Sequence, residues 1–135
     1  MSLKYSTAVR NAKLDAIETA IGTSPIMKIL SGAAPANCAA ADTGTVLATL
    51  NLPSDWMANA SGGSKAKSGT WEDTSADNTG TAGYFRIYDS TGTTCHMQGT
   101  VTATGAGGDM TVDNTSFASG QDFTVTAFSI TDNNG

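Results

Sequence analysis

The sequence has few charged residues, few basic residues and no long apolar run. Lys, Arg, Asp and Glu make up 14% of the 135 residues, well below the roughly 25% of an average soluble protein. Seven basic residues stand against twelve acidic ones, for a net charge of −5, so the basic stripe of a general nucleic-acid binder is absent. No stretch approaches the ~20 apolar residues of a membrane-spanning helix. We therefore predict binding to neither nucleic acid nor membrane.

Residues that carry catalytic chemistry are also scarce. The single histidine, His96, is predicted to lie on a strand beside Cys95, and strand neighbours point to opposite faces, so the two cannot share a metal ion. Glu72, Asp73 and Asp77 lie in a polar segment without the ligand spacing of an EF-hand, which leaves a solvated loop or a weak calcium site. The glycine-rich segment 105–108 lacks the Lys-Ser/Thr of a phosphate-binding loop. We predict no enzymatic activity, no cofactor and no metal site.

Two cysteines, Cys38 and Cys95, are present. The first residues lack the apolar core of a secretory signal, so synthesis and folding in a reducing cytoplasm are expected. Both cysteines are then interpreted as free, small, buried side chains. The spacing does not settle whether they pair, and a disulfide stays open as the alternative.

Small residues dominate what remains, and one segment has helical periodicity. Residues 4–21 predict a helix that ends at Gly22, with Pro25 blocking its continuation. Lys13 and Glu18 are predicted to point away from its apolar stripe. The stripe is predicted to consist of Tyr5, Val9, Ala12, Ala16, Ile17, Ala20 and Ile21.

The rest of the chain alternates as short strands between turns. Strands are predicted at 26–31, 45–52, 65–71, 83–89, 94–101, 110–113 and 123–131, the last with a bulge near Ala127. Residues 54–80 are interpreted as a flexible run, an exposed strand and a polar tip loop, and residues 132–135 as a frayed tail. The fold class is mainly β: a small antiparallel β-sandwich or barrel with an N-terminal helix. Residues 1–25 form the helix or arm and residues 26–135 the β-rich body of a single domain.

The aromatic residues offer two interpretations. Tyr84 and Tyr88 share a strand face with Arg86, and together with Trp56 and Trp71 they could stack on sugars or bases. Alternatively, the aromatic rings fix cross-strand pairs or a subunit contact.

The order of motifs resembles a family of small proteins from the structural regions of tailed bacteriophages and prophages. Its segments are Ile29–Ala36, Ala39–Asp42, Thr43–Leu50, Gly80–Asp89, Gly107–Asn114 and a closing Thr/Phe/Ile strand. The resemblance spans nearly the whole chain, and its motifs are structural rather than catalytic. It implies a virion protein made in the bacterial cytoplasm, with a capsid decoration (cement) protein as the favoured role.

A decoration protein of this kind implies a homo-oligomer, a trimer being favoured, bound to the phage major capsid protein. Residues 1–31 are expected to contribute to docking, with the arm becoming ordered on binding. The alternative role is a tail or fibre component that recognises a host-surface glycan. The candidate partner-contacting residues are Tyr5, Val9, Lys13, Lys28, Trp56, Trp71, Tyr84, Arg86 and Tyr88.

Overall fold

A computed structural model describes residues 3–135 and has a mainly β architecture with one N-terminal helix, as the sequence predicts. The sandwich-like core lies between a main sheet and a second layer. The elements are α1 (Thr7–Ile21), β1 (Ile26–Ser31), β2 (Val46–Asn51), β3 (Ser64–Ala66), β4 (Trp71–Asp73), β5 (Gly80–Tyr88), β6 (Cys95–Ala103), β7 (Met110–Val112), β8 (Ser116–Phe117), β9 (Phe123–Val125) and β10 (Ser129–Thr131).

The main sheet has the strand order β2-β1-β5-β6-β7, with β8 paired to the start of β5. The predicted hairpin around residues 83–101 is confirmed as β5–β6, in which Arg86 faces Gln98 and Tyr88 faces Cys95. The pairing of β6 with β7 is parallel, which the sequence did not predict. The register of this hairpin shifts after Ile87. As a result Cys95 shares the face of Tyr88 rather than that of Met97, although residues two apart in a regular strand lie on one face.

The second layer consists of two short ribbons, β3–β10 and β4–β9. Phe128, between β9 and β10, joins it to the main sheet: its ring centroid lies 5.6 Å from that of Phe85 in β5. The same ring lies 5.6 Å, centroid to centroid, from Trp71 in β4. The single strand predicted for 123–131 is two strands, because the chain changes partner from β4 to β3 where a bulge was expected. The two layers together bury both tryptophans in one continuous apolar core.

The helix packs on the body, and its inward face differs from the predicted stripe. Leu14 and Ile21 are its buried residues, whereas Ala12, Ala16 and Ala20 are exposed. The helix begins after the N-cap Ser6 and ends at Gly22, whose positive φ of 92° suits glycine. It therefore does not extend as a separate arm within the described residues, and residues 1 and 2 of the predicted arm lie outside them.

A buried lysine explains why the inward face was mispredicted. Lys65 of β3 is 1% exposed, and its Nζ donates to Asp15 Oδ1 at 2.7 Å and forms an ion pair with Glu18 Oε1 at 2.8 Å. It also donates to the Ala58 carbonyl at 2.9 Å. A buried ammonium is tolerated only with such partners. The carboxylates of Asp15 and Glu18 thus point toward the body, and the alanines of the helix face solvent.

The predicted frayed tail is wrong, because it contacts the rest of the fold. The predicted polar loop is confirmed for residues 74–79, but it packs against β2 instead of lying at a free tip. Asp132 forms an ion pair with Lys13, and the Asn134 carbonyl accepts from the Tyr5 amide at 2.7 Å. Asp73 accepts from the Thr49 amide at 2.9 Å, and Asn78 donates to the Val46 carbonyl at 2.8 Å. The last two bonds occupy polar groups along β2, the edge of the main sheet, and so block pairing with another strand.

Candidate functional site

The polar face of β5 is covered by the connector between β1 and β2, residues 32–45, which we call the clamped loop. Tyr84 Oη donates to the Thr43 carbonyl at 2.6 Å and accepts from the Thr43 amide at 3.0 Å. Gln98 of β6 donates to the Pro35 carbonyl at 2.7 Å. These bonds hold both ends of the loop to the sheet, since backbone groups that leave a sheet must find new partners.

Arg86 lies at the centre of this buried polar layer. Its Nη2 donates to the Asn37 carbonyl at 3.0 Å, and its Nε donates to Gln98 Oε1 at 3.1 Å. Its Nη1 lies 3.5 Å from Asp42 Oδ1, which also accepts from Tyr88 Oη at 2.8 Å. Because the guanidinium has partners on three sides, we conclude that it holds the loop in place.

The charges in this layer shift one another's pKa values. Partial burial opposes ionisation of Asp42, but the hydrogen bond from Tyr88 and the charges of Lys28 and Arg86 outweigh it and lower its pKa. Burial raises the pKa of Tyr88 to about 12. Asp42 is therefore an ionised acceptor and Tyr88 a neutral donor at neutral pH, as the fold requires.

Both cysteines are free, and both are half-buried rather than fully buried. Cys38 lies in the clamped loop next to Asn37, and Cys95 begins β6 on the covered face of the sheet. The Cys95 thiol donates to the Met97 carbonyl at 3.5 Å. Burial, followed by the nearby Cys38 thiol, raises the pKa of Cys95.

Most of the candidate partner-contacting residues lie inside the protein. Trp56 is 1% exposed and Trp71 is fully buried, and their ring centroids are 6.0 Å apart. A sugar or base cannot reach these rings, so of the two interpretations stacking on a ligand is wrong for the tryptophans and packing is confirmed. The tryptophans instead pack in the core, and the polar strand residues hold the clamped loop. The buried candidates are Trp56, Trp71, Tyr84, Arg86 and Tyr88.

The remaining candidates lie nearer the surface. Val9 is 44% exposed, Tyr5 is half-buried, and the Lys13 ammonium lies 4.4 Å from the Tyr5 ring centroid. Lys28 stacks in the same way on Tyr88, at 4.7 Å. A groove of about 690 Å³ runs between α1 and the C-terminal segment, beside Lys13 and Leu14.

Around Val9 and Lys13, α1 presents an uncharged surface of small side chains. We call this the outward face of α1; it consists of Ala8, Val9, Ala12, Ala16, Thr19 and Ala20. The two acids of the helix, Asp15 and Glu18, are engaged by Lys65 and do not interrupt it. Sequence reasoning missed this surface because it assigned the same alanines to the core.

The histidine and the carboxylates that the sequence analysis considered as metal ligands do not converge on a common point in the described residues. Nowhere between residues 3 and 135 do three or more His, Cys, Asp or Glu side chains converge as a metal ion would require. His96 is exposed. Asp73 and Asp77 accept hydrogen bonds from Thr49 and so belong to the fold. Within the same residues, no helix is both long and apolar enough to cross a membrane.

Several surface carboxylates make the stability of the fold depend on pH. The Lys13 ammonium lowers the pKa of Asp132, and hydrogen bonds from Thr93 and Thr91 lower that of Asp89. A lowered folded pKa adds stability that is complete above the unfolded value of about 4 and disappears as the pH falls through the folded value. We expect a constant thermal midpoint from about pH 5 to 8 and a fall below about pH 4.

Thermal unfolding followed by circular dichroism across this range tests the expectation. Asp89→Asn keeps an acceptor oxygen in the turn but cannot titrate. The thermal midpoint of this variant should therefore fall less steeply in acid than that of the wild type. A midpoint that rises on acidification would contradict the assignment.

In comparisons with known proteins, no family model, no curated protein and no solved structure matches the chain.

Proposed function

We propose that this chain is a non-enzymatic structural protein of a tailed-phage particle, and that it decorates the capsid shell by binding the major capsid protein. One observation carries the proposal. Five of the segments that resemble the phage structural family build most of the main sheet and the clamped loop, and the closing segment forms β9 and β10 of the second layer. These five segments supply β1, β2, β5 and β7 together with the loop between β1 and β2. A resemblance concentrated in the scaffold supports a shared fold and, through it, a shared structural role.

The use of charge in the protein also supports a structural role. The buried charges, Lys65 and Arg86, form ion pairs and hydrogen bonds within the fold. A catalytic site uses charged or nucleophilic groups that remain free to meet a substrate. In this chain the buried charged side chains hold a loop and the helix in place, which suits a protein that stabilises an assembly.

The outward face of α1 is the docking surface that this role favours. Its side chains are small, so they lose little rotamer entropy on contact and allow close approach. At its border the Lys13 ammonium is already paired with Asp132, so the outward face itself is uncharged. Since the helix is packed on the body before binding, docking does not require an arm to become ordered.

Quantitative mass spectrometry of purified virions from the source phage tests the proposal. We expect a copy number comparable to that of the major capsid protein. A few copies per particle would place the protein in the tail, neck or fibres, and absence from the particle would contradict a virion role altogether.

A surface variant extends the same measurement to the docking face. Ala12→Glu places a charge on the outward face of α1 without disturbing the core, because Ala12 is exposed. Its copy number in virions should fall at least about tenfold, which corresponds to about 1.4 kcal/mol of binding free energy. Ala106→Glu, in the exposed turn after β6, is the matched control and should be incorporated normally. Equal incorporation of both variants would reject this face as the contact.

A further inference from the structure

We propose that Cys38 and Cys95 form a disulfide bond when the folded protein meets a small-molecule disulfide, and that this bond locks the clamped loop onto the main sheet. The inference goes beyond the proposed function and does not depend on it. It makes the loop a redox-sensitive element: held by hydrogen bonds alone when the thiols are reduced, and covalently attached when they are oxidised.

The pairing of β5 and β6 fixes the position of Cys95. Cys95 lies directly opposite Tyr88, and the register shift after Ile87 places it on the same face as Gln98. That face is the one the clamped loop covers. The thiol therefore points toward the loop, and its own hydrogen bond runs to the Met97 carbonyl at 3.5 Å.

The contacts of the loop fix the position of Cys38. On one side of it, the Asn37 carbonyl accepts from Arg86, and further along the loop Asp42 accepts from Tyr88. The Asn37 side chain accepts from the Ala39 amide at 3.0 Å, which forms a tight turn with Cys38 at its corner. Cys38 is thus held between two anchors that both lie on β5, the neighbour of Cys95.

The anchors place Cys38 over the sheet face that carries Cys95, because Arg86 and Tyr88 hold the loop on either side of it and Cys95 lies opposite Tyr88. A disulfide requires close approach of the two backbones, with Cα atoms within about 7 Å. The anchors favour such an approach because they contact residues on the same sheet face as Cys95. We infer that a small adjustment of the loop brings the two sulfur atoms within bonding distance.

The reaction is thiol–disulfide exchange, with oxidised glutathione as a suitable oxidant. The Cys38 thiolate attacks one sulfur of the oxidant, and a glutathione thiolate leaves and takes up a proton. The Cys95 thiolate then attacks the Cys38 sulfur of the mixed disulfide and releases the second glutathione. Two protein thiols are oxidised to one disulfide, and one glutathione disulfide is reduced to two thiols. Cys38 reacts first because its loop neighbours Asn37 and Ala39 are exposed.

Burial of Cys95 sets the conditions for the second step. Its raised pKa keeps the thiol protonated at neutral pH, so ring closure is slow there and accelerates as the pH rises. The product links positions about 60 residues apart, a loop length at which a disulfide stabilises strongly by restricting the unfolded chain.

Oxidation of the purified, fully reduced chain with glutathione disulfide tests the proposal. We expect a monomer whose mass falls by about 2 Da, for the two hydrogens lost, and a peptide map that joins Cys38 to Cys95. The thermal midpoint should rise by roughly 10 °C. Elastase, which cleaves after small residues, should cut the exposed alanines of the clamped loop roughly tenfold more slowly in the oxidised form.

Matched controls separate the disulfide from other effects of the oxidant. Cys38→Ser and Cys95→Ser should each remove both the protection and the shift in midpoint. Alkylation of the wild-type thiols before oxidation provides the same control without a substitution. Disulfide-linked dimers, stable glutathione adducts, or a bond that leaves elastase cleavage unchanged would each overturn the proposal.

Discussion

Replacing Trp71 by alanine is expected to lower the free energy of unfolding by about 3–5 kcal/mol. The side chain is fully buried between Trp56 and Phe128, and its indole N–H donates to the Ser68 carbonyl at 3.1 Å. The substitution removes one of the two indole rings from the buried core and leaves a cavity. Urea denaturation followed by fluorescence of the remaining tryptophan measures the loss.

Two further variants show whether burial is the cause. Trp71→Phe keeps an aromatic ring and should cost clearly less than Trp71→Ala. Val9→Ala removes an exposed side chain from α1 and should change the stability by no more than about 0.5 kcal/mol. A glycan-binding role for Trp71 predicts the reverse pattern, lost adsorption to the host with unchanged stability. That pattern would contradict the buried position of the ring.

Replacing Gly83 by alanine is expected to cost about 3 kcal/mol or more, and to release the clamped loop. Gly83 lies where the register of β1 and β5 shifts, between Ala82 and Tyr84. A Cβ at this position would overlap the backbone of Gly32, including its carbonyl oxygen. Backbone atoms cannot rotate away as a side chain can, so β1 and β5 would have to separate at the point where the loop leaves the sheet.

Gly107→Ala is the matched control for this prediction. Gly107 has a positive φ of 86° with nothing within 4 Å of an added Cβ, so its substitution reports only the cost of the left-handed conformation, about 1–2 kcal/mol. Thermal unfolding and elastase cleavage of the loop compare the two variants. If Gly83→Ala proved no worse than Gly107→Ala, close packing of the two backbones would be excluded as the reason for glycine.

The strands that the sequence predicted best are those whose pattern arises from local structure. The alternation around Phe85 and the turn after Tyr88 are both properties of a hairpin, and the hairpin was confirmed. Prediction failed where a single long-range partner decided the outcome. Glu18 was expected to face solvent, and nothing in its neighbourhood in sequence reveals that Lys65 lies beneath it.

The same reason explains the errors in the candidate site. Tyr84, Arg86 and Tyr88 were correctly placed on one face of a strand. Alternation does not say whether such a face is open or covered, and here a loop supplies the cover. Periodicity likewise indicated an apolar side of the helix, but alanine fits equally well on a surface. The ion pairs of Lys65 with Asp15 and Glu18 determine which side of the helix faces the body.

The sequence by itself determined the mainly β class, the helix and its end at Gly22, and the scarcity of groups for chemistry, because these follow from composition, local spacing and backbone preference. Only the tertiary structure decided which faces are open. It buried the tryptophans, turned the alanines of α1 outward and brought Cys38 to Cys95, positions far apart in the chain. These outcomes depend on contacts between distant segments, where the partners of a buried charge and the path of one loop outweigh local preference.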